Sequence, residues 1–251
     1  MKLPPRAELR REALAGLTTF FTMAYIIVVN PAILSGSGTG MPFSGVLTAT
    51  VLLSFLMTLL MGAYARLPFA VAPGMGLNAF FAYSVVIGRG VPWPTALGVV
   101  FWAGALFVLI SLTPVRVKVA EAIPEGLRTA TAAGIGLFLA FIGLKNAGFI
   151  AADPATFVKI GALDGKVVLS LCGGVITLAL MRRKSPLAFL AGIFSVTLTA
   201  WALGLVQAPE SFFSAPDFTS VCFKLDLGAA LSLSLLPAMI SILFTDLFDS
   251  I

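Results

Sequence analysis

The stretch Ala70-Val71-Ala72-Pro73-Gly74-Met75-Gly76-Leu77-Asn78-Ala79-Phe80-Phe81-Ala82-Tyr83 decides how this sequence is read. It puts a proline, two glycines and a carboxamide inside a segment otherwise apolar enough to enter hydrocarbon. In a bilayer every backbone N–H and C=O needs a partner, so interrupted backbone persists only where protein buries it or where it lines a wet cavity. On one reading Pro73 to Asn78 is an unwound or strand-like stretch. Gly74 and Gly76 then let a flat ligand approach the backbone, and Asn78 offers a donor and an acceptor to a polar heterocycle. On the other it is a proline kink with small residues that permit close helix packing. Spacing alone does not separate the two.

The rest of the chain shares the apolar character. Hydrophobic residues make up 59% of 251 positions and charged residues 11%, and mean hydropathy is +1.05, which excludes an ordinary soluble domain. At roughly 20 residues per crossing, eight apolar segments are expected: 13–34, 44–65, 70–87, 93–113, 129–149, 167–181, 187–206 and 227–251. The first is preceded by Lys2, Arg6, Arg10 and Arg11, as a signal peptide would be, but its apolar run exceeds the core of a cleaved signal and favours a retained helix. Cys172 falls in a span and Cys222 in a loop, and there is no histidine. That argues against a Cys/His metal site and a disulfide framework.

Net charge is +5, yet its distribution speaks against a nucleic-acid partner. With the N-terminus cytoplasmic, Lys2, Arg6, Arg10, Arg11, Arg66, Arg116, Lys118, Arg128, Arg182, Arg183 and Lys184 fall inside, and only Arg89, Lys145, Lys159, Lys166 and Lys224 outside. This is the positive-inside pattern. Most connections are short and rich in Gly, Pro and Ser. Two external loops are longer, 150–166 and 207–226, the second carrying Phe212, Phe213, Phe218 and Phe223. The last segment reaches Ser250-Ile251 with no basic flank, which reads as a piece of a longer protein.

Nine of the eleven acidic residues lie in tails, loops or segment ends. Asp246 and Asp249 are the exceptions, three residues apart and so neighbours on one helix face. A carboxylate within a span marks a functional pathway by default, and a close pair removed from water is a candidate proton carrier. The alternative is that both sit near the cytoplasmic end of the last segment and reach solvent. Thr18, Thr22 and Tyr25 share a face of the first segment, where the favoured reading is hydroxyls bonded back to their own helix. Asn30-Pro31 reads as a helix end, and Lys145-Asn146 as a snorkelling end.

Four blocks carry a resemblance: Phe20-Phe21-Thr22-Met23-Ala24-Tyr25-Ile26-Ile27-Val28-Val29-Asn30-Pro31; the Ala72 to Tyr83 run; Gly134 to Phe138 leading into Phe141-Ile142-Gly143-Leu144-Lys145-Asn146-Ala147-Gly148; and Asp246-Leu247-Phe248-Asp249. Together they closely resemble the AzgA-like branch of the nucleobase-cation symporter-2 (NCS2) permeases, from about Ala13 to the last residue. The resemblance implies an all-α polytopic membrane protein of the cytoplasmic membrane that imports adenine, guanine or hypoxanthine by proton symport through alternating access. No cofactor beyond the coupling ion, no metal and no enzymatic activity are implied.

The family's 7+7 inverted repeat implies a division of this chain. Residues 1–12 are a cytoplasmic tail, 13–114 core spans 1 to 4, 128–206 gate spans 5 to 7, 207–226 an external loop, and 227–251 a truncated core span 8. The expected fold is thus an N-terminal seven-span repeat plus an eighth span, with a broken helix and short strand in span 3. Carried over by position, Asn78 falls in that strand and binds the base, Phe80 is a weaker contact, Asp249 is the span-8 carboxylate for base or proton, and Asp246 a second proton-coupling candidate. The partners implied are a purine base and the lipid bilayer. The second transporter half is absent from these 251 residues, so an inactive or partner-dependent fragment is the alternative. A homo-oligomer is not an obvious repair, since oligomers in the wider family contact mainly through the gate.

Overall fold

A computed structural model describes residues 6–36, 38–114, 118, 124–206 and 215–249. Its elements follow the apolar pattern. Helices α1 (Arg6–Met23) and α2 (Ile26–Leu34) share the first apolar segment. Between them the helix tightens at Ala24–Tyr25, where the N–H groups of Ile27 and Val28 donate to carbonyls only three residues back. The segment is therefore broken, not one continuous helix. Helix α3 (Phe43–Leu60) continues into a π-helical turn over Met61–Ala65. It stops at Arg66, whose φ of 55° ends the helical path.

Residues 67–74 then run without helical structure, and α4 (Met75–Ala79) opens immediately after Gly74. The strand expected in this segment is absent. The break lies before Met75, and Asn78 is helical, because Pro73 and Gly74 end the extended run while the next residues tolerate a helix. Helix α4 widens into π-helical turns over Phe80–Ile87, a rare form that is frequent at functional sites.

Helix α5 (Trp93–Ser111) carries Pro94 in its first turn, where the missing N–H has no intrahelical partner to lose. Next come α6 (Glu125–Asn146) and an antiparallel hairpin of β1 (Ile150–Asp153) and β2 (Phe157–Ile160), pairing Ile150 with Ile160 and Asp153 with Phe157. The hairpin lies within the external loop expected at 150–166. Asp164 caps α7 (Gly165–Arg182) by accepting from the Val167 N–H at 2.9 Å. Helix α8 (Ala188–Ala202) follows. Short 3₁₀ turns at Ala229–Leu231 and Leu233–Leu235 lead into α9 (Leu236–Asp249), so the eighth segment becomes α-helical nine residues later than expected. Phe212 and Phe213 lie outside the described residues.

Five of these helical stretches are long and apolar enough to cross a membrane: Arg10–Leu34, Phe43–Ala65, Trp93–Ser111, Glu125–Asn146 and Gly165–Arg182. Met75–Ile87, Ala188–Ala202 and Leu233–Leu247 are shorter apolar helices. Every apolar segment of the sequence thus holds a helix, and the chain is a mostly helical polytopic membrane protein.

The chain divides into two compact units. The first comprises 1–29, 53–72 and 141–215. Its centre is the α7–α8 pair, where small residues bring the backbones together. A side chain at Gly173 would overlap Val196, and one at Gly192 would overlap Thr177. The second unit comprises 30–52, 73–140 and 216–251. There α5 packs on α9 and on the 229–231 turn, burying Ala96, Val99, Ala103, Ala230, Ala238 and Ile242. Pro94 C=O accepts from the Asp226 N–H at 3.1 Å, and the Trp102 Nε1–H donates to Leu227 C=O at 3.1 Å.

Candidate functional site

The site begins where α4 begins. Gly74, with ψ of 114°, is still extended, and its carbonyl accepts the Asn78 N–H at 3.1 Å, closing the first helical turn. That turn aims the Asn78 carboxamide at α2, where its Nδ2 donates to Asn30 Oδ1. Asn30 is only 2% exposed, and its own Nδ2 donates to Thr50 Oγ1 of α3 at 2.8 Å. The Thr50 hydroxyl in turn donates to Val46 C=O at 2.7 Å. All four residues belong to the second unit. An unpaired buried amide costs about 1–3 kcal/mol, so this chain of bonds is what allows two carboxamides to stand among apolar neighbours.

The expectation for Asn30 is thereby corrected. Asn30-Pro31 does not end a helix: Pro31 lies inside α2, and Asn30 is a buried partner of Asn78. An asparagine inside a span was the available clue, because a carboxamide there requires a partner. Thr50 carried no such clue, since threonine is common in membrane helices. Of the two readings of Gly76, the structure supports close helix packing. A side chain there would overlap Ile135 of α6, so protein, not a ligand, fills the space beside it.

Phe80 is half-buried at the start of the π-helical turns, whose Phe81, Ala82, Val85 and Val86 are buried. Helix α4 packs against α9 within the second unit. Helix α9 carries a half-buried Asp246 and ends at Asp249, whose side chain lies outside the described residues. The structure thus joins the elements bearing Asn78, Phe80 and Asp246 into one packed cluster. Among the described residues no group of three or more His, Cys, Asp or Glu side chains gathers as a metal site.

The other polar positions behave differently. Thr18 and Thr22 donate to the carbonyls of Leu14 and Thr18 at 2.9 and 2.8 Å, bonded back to their own helix as expected. Tyr25 stacks on Phe189 of α8, ring centroids 5.2 Å apart and planes 26° from parallel. Outside the spans, Asp217 fastens the 216–221 segment to the start of α3. Its carboxylate accepts from the Ser44 hydroxyl at 2.7 Å and from the N–H groups of Thr219 and Ser220, while its own N–H donates to Thr48. The neighbouring Ser220 and Ser44 hydroxyls and these backbone donors hold the Asp217 carboxyl well below the usual carboxylate range.

Residues 10–251 match the sequence profile of Xan_ur_permease, described as "Permease family". The protein MJ0326 of Methanocaldococcus jannaschii is 47% identical over 97% of this chain and 56% of its own length. The guanine/hypoxanthine permease PbuO of Bacillus subtilis is 44% identical over 84% of this chain and 49% of its own. The adenine permease AdeP of Escherichia coli is 40% identical over 96% of this chain and 54% of its own. The chain therefore spans about half the length of the curated relatives it matches.

Proposed function

The chain belongs to the Xan_ur_permease family of permeases, the NCS2 family, and from that membership we propose that it forms part of a secondary transporter for purine nucleobases. The family is one of transporters, not of enzymes. The observation that carries the reading is the Asn78 carboxamide, held on a broken, partly π-helical segment and packed against the acidic helix α9. A planar base rich in donors and acceptors is the substrate such an amide suits. The relatives named guanine/hypoxanthine and adenine permeases support that class.

In this reading Asn78 binds the base, with Phe80 beside it, and Asp249 receives base or proton. Asp246 is the second carboxyl on the proton path, and import is coupled to proton entry through alternating access. The N-terminus is cytoplasmic, and the segments follow the core and gate division of the 7+7 repeat.

Uptake of radiolabelled hypoxanthine by cells expressing the complete reading frame tests the assignment. Asn78→Ala and Asp249→Asn are expected to lower uptake at least about tenfold, the scale of one lost charge-assisted or buried polar contact. A protonophore is expected to abolish accumulation. Undiminished uptake in both variants removes the site assignment, and accumulation that survives the protonophore removes proton coupling.

A further inference from the structure

We propose that Asn30, braced by Thr50, is a positioning residue that fixes which end of the Asn78 amide meets the ligand. The inference rests on the purine-site reading only for the ligand's identity; the brace itself stands on four side-chain and backbone groups. An amide's oxygen and nitrogen are nearly the same in shape, so orientation is settled by the hydrogen-bond network. Here the network has a fixed end. Val46 C=O only accepts, so the Thr50 hydroxyl must donate to it. Having spent its single hydrogen, Thr50 Oγ1 accepts, and Asn30 must turn Nδ2 toward it. Asn30 Oδ1 is then the atom facing α4, and Asn78 must answer with Nδ2. Reversing any one member would set two donors or two acceptors against each other in a nearly water-free site, since Asn30 and Thr50 are 2% and 3% exposed.

The consequence is a polarity imposed on the site from behind. One hydrogen of Asn78 Nδ2 is committed to Asn30. Asn78 Oδ1 has no hydrogen-bond partner among the described residues, and Asn78 is only half-buried. Asn78 therefore meets a ligand chiefly as an acceptor, and the edge it reads carries an N–H. A base that presents a bare acceptor nitrogen at that edge in place of N–H loses the bond and sets two acceptors against each other.

Two measurements test this. The first is competition against hypoxanthine uptake by pairs of purine analogues that differ at one ring position, an N–H in one and a bare acceptor nitrogen in the other, using the complete reading frame. In the unmodified protein the acceptor member of one such pair is expected to compete at least about tenfold more weakly than its N–H member. Thr50→Val removes the hydroxyl that sets the polarity and is expected to bring that ratio below about threefold, because a freed amide turns to suit either edge. Thr50→Ser keeps the hydroxyl and is expected to restore the ratio. A merely structural Thr50 would lower uptake uniformly and leave the ratio alone, and that result overturns the proposal.

The second measurement needs no ligand. Thermal unfolding of the purified protein is compared for Asn30→Ala, Asn78→Ala and the double variant. A shared bond predicts that the double variant falls little further than the worse single one; strictly additive falls overturn the brace. Non-additive falls in a protein that takes up no purine would keep the brace and remove the purine reading.

Discussion

The α7–α8 pair and the α2–α3–α4 cluster are both made of apolar helix with a few polar residues, yet they treat those residues in opposite ways. On α7 and α8 the hydroxyls of Thr177, Thr197 and Thr199 each donate to a carbonyl one turn back, and the helices meet through glycines. On α2 and α4 the carboxamide bonds leave the helix, Asn78 reaching Asn30 and Asn30 reaching Thr50, while the Thr50 hydroxyl of α3 still donates back to Val46. The difference lies in side-chain chemistry. A hydroxyl has one hydrogen, and its own helix can take it. A carboxamide has two donors and an acceptor that a regular helix leaves unsatisfied, so it must find a partner elsewhere. Where carboxamides face each other between apolar helices, the pairing specifies an arrangement as well as stabilising it.

The contrast can be broken most forcefully at the glycines. Gly192→Val is expected to cost about 1–3 kcal/mol, the usual range for overpacking, because the new side chain would overlap Thr177. Thermal unfolding reads the loss, and a neutral result would mean that α7 and α8 separate freely. Next in size is the hydroxyl comparison. Thr50→Val is expected to cost about 1 kcal/mol, since it orphans Asn30 Nδ2, whereas Thr197→Val on an exposed face stays within about 0.5 kcal/mol. Equal losses at the two sites would erase the distinction between bonds made within a helix and bonds made across.

The smallest effect at neutral pH concerns Asp217. Its carboxyl titrates lower in the folded protein than in the unfolded chain, so its stabilisation is complete above the unfolded value of about 3.9 and is lost as pH falls below it. Hydrogen-exchange protection over 216–221, taken relative to the intrinsic rate at each pH, is expected to fall below about pH 4, and Asp217→Asn is expected to remove that pH dependence. A segment equally protected at pH 3 and pH 7 would show that the carboxylate does not hold it.

Much of the fold was legible because membrane burial writes itself into runs of residues. The eight apolar segments, a break marked by Pro73 and Gly74 and the back-bonded Thr18 and Thr22 all follow from local composition. What escaped was non-local. Asn30 and Asn78 are 48 residues apart, and nothing around Pro31 distinguishes a proline that ends a helix from one carried inside it. The helical state of Asn78 was missed because Pro73 and Gly74 mark a break without saying on which side of it the helix resumes. The 150–160 hairpin was missed because its two strands are four residues each, too short for an alternating pattern to register.

The extended run before α4 has its own counterpart on α3. Thr58 Oγ1 accepts from the Val71 N–H at 2.9 Å and lies 3.3 Å from Val71 C=O, to which it donates. One oxygen thus stands in for an entire neighbouring strand, answering both main-chain groups of a residue that has neither helix nor sheet around it. Deleting that single atom would orphan two groups at once, which makes a threonine of ordinary appearance the place where the non-helical route into α4 is underwritten.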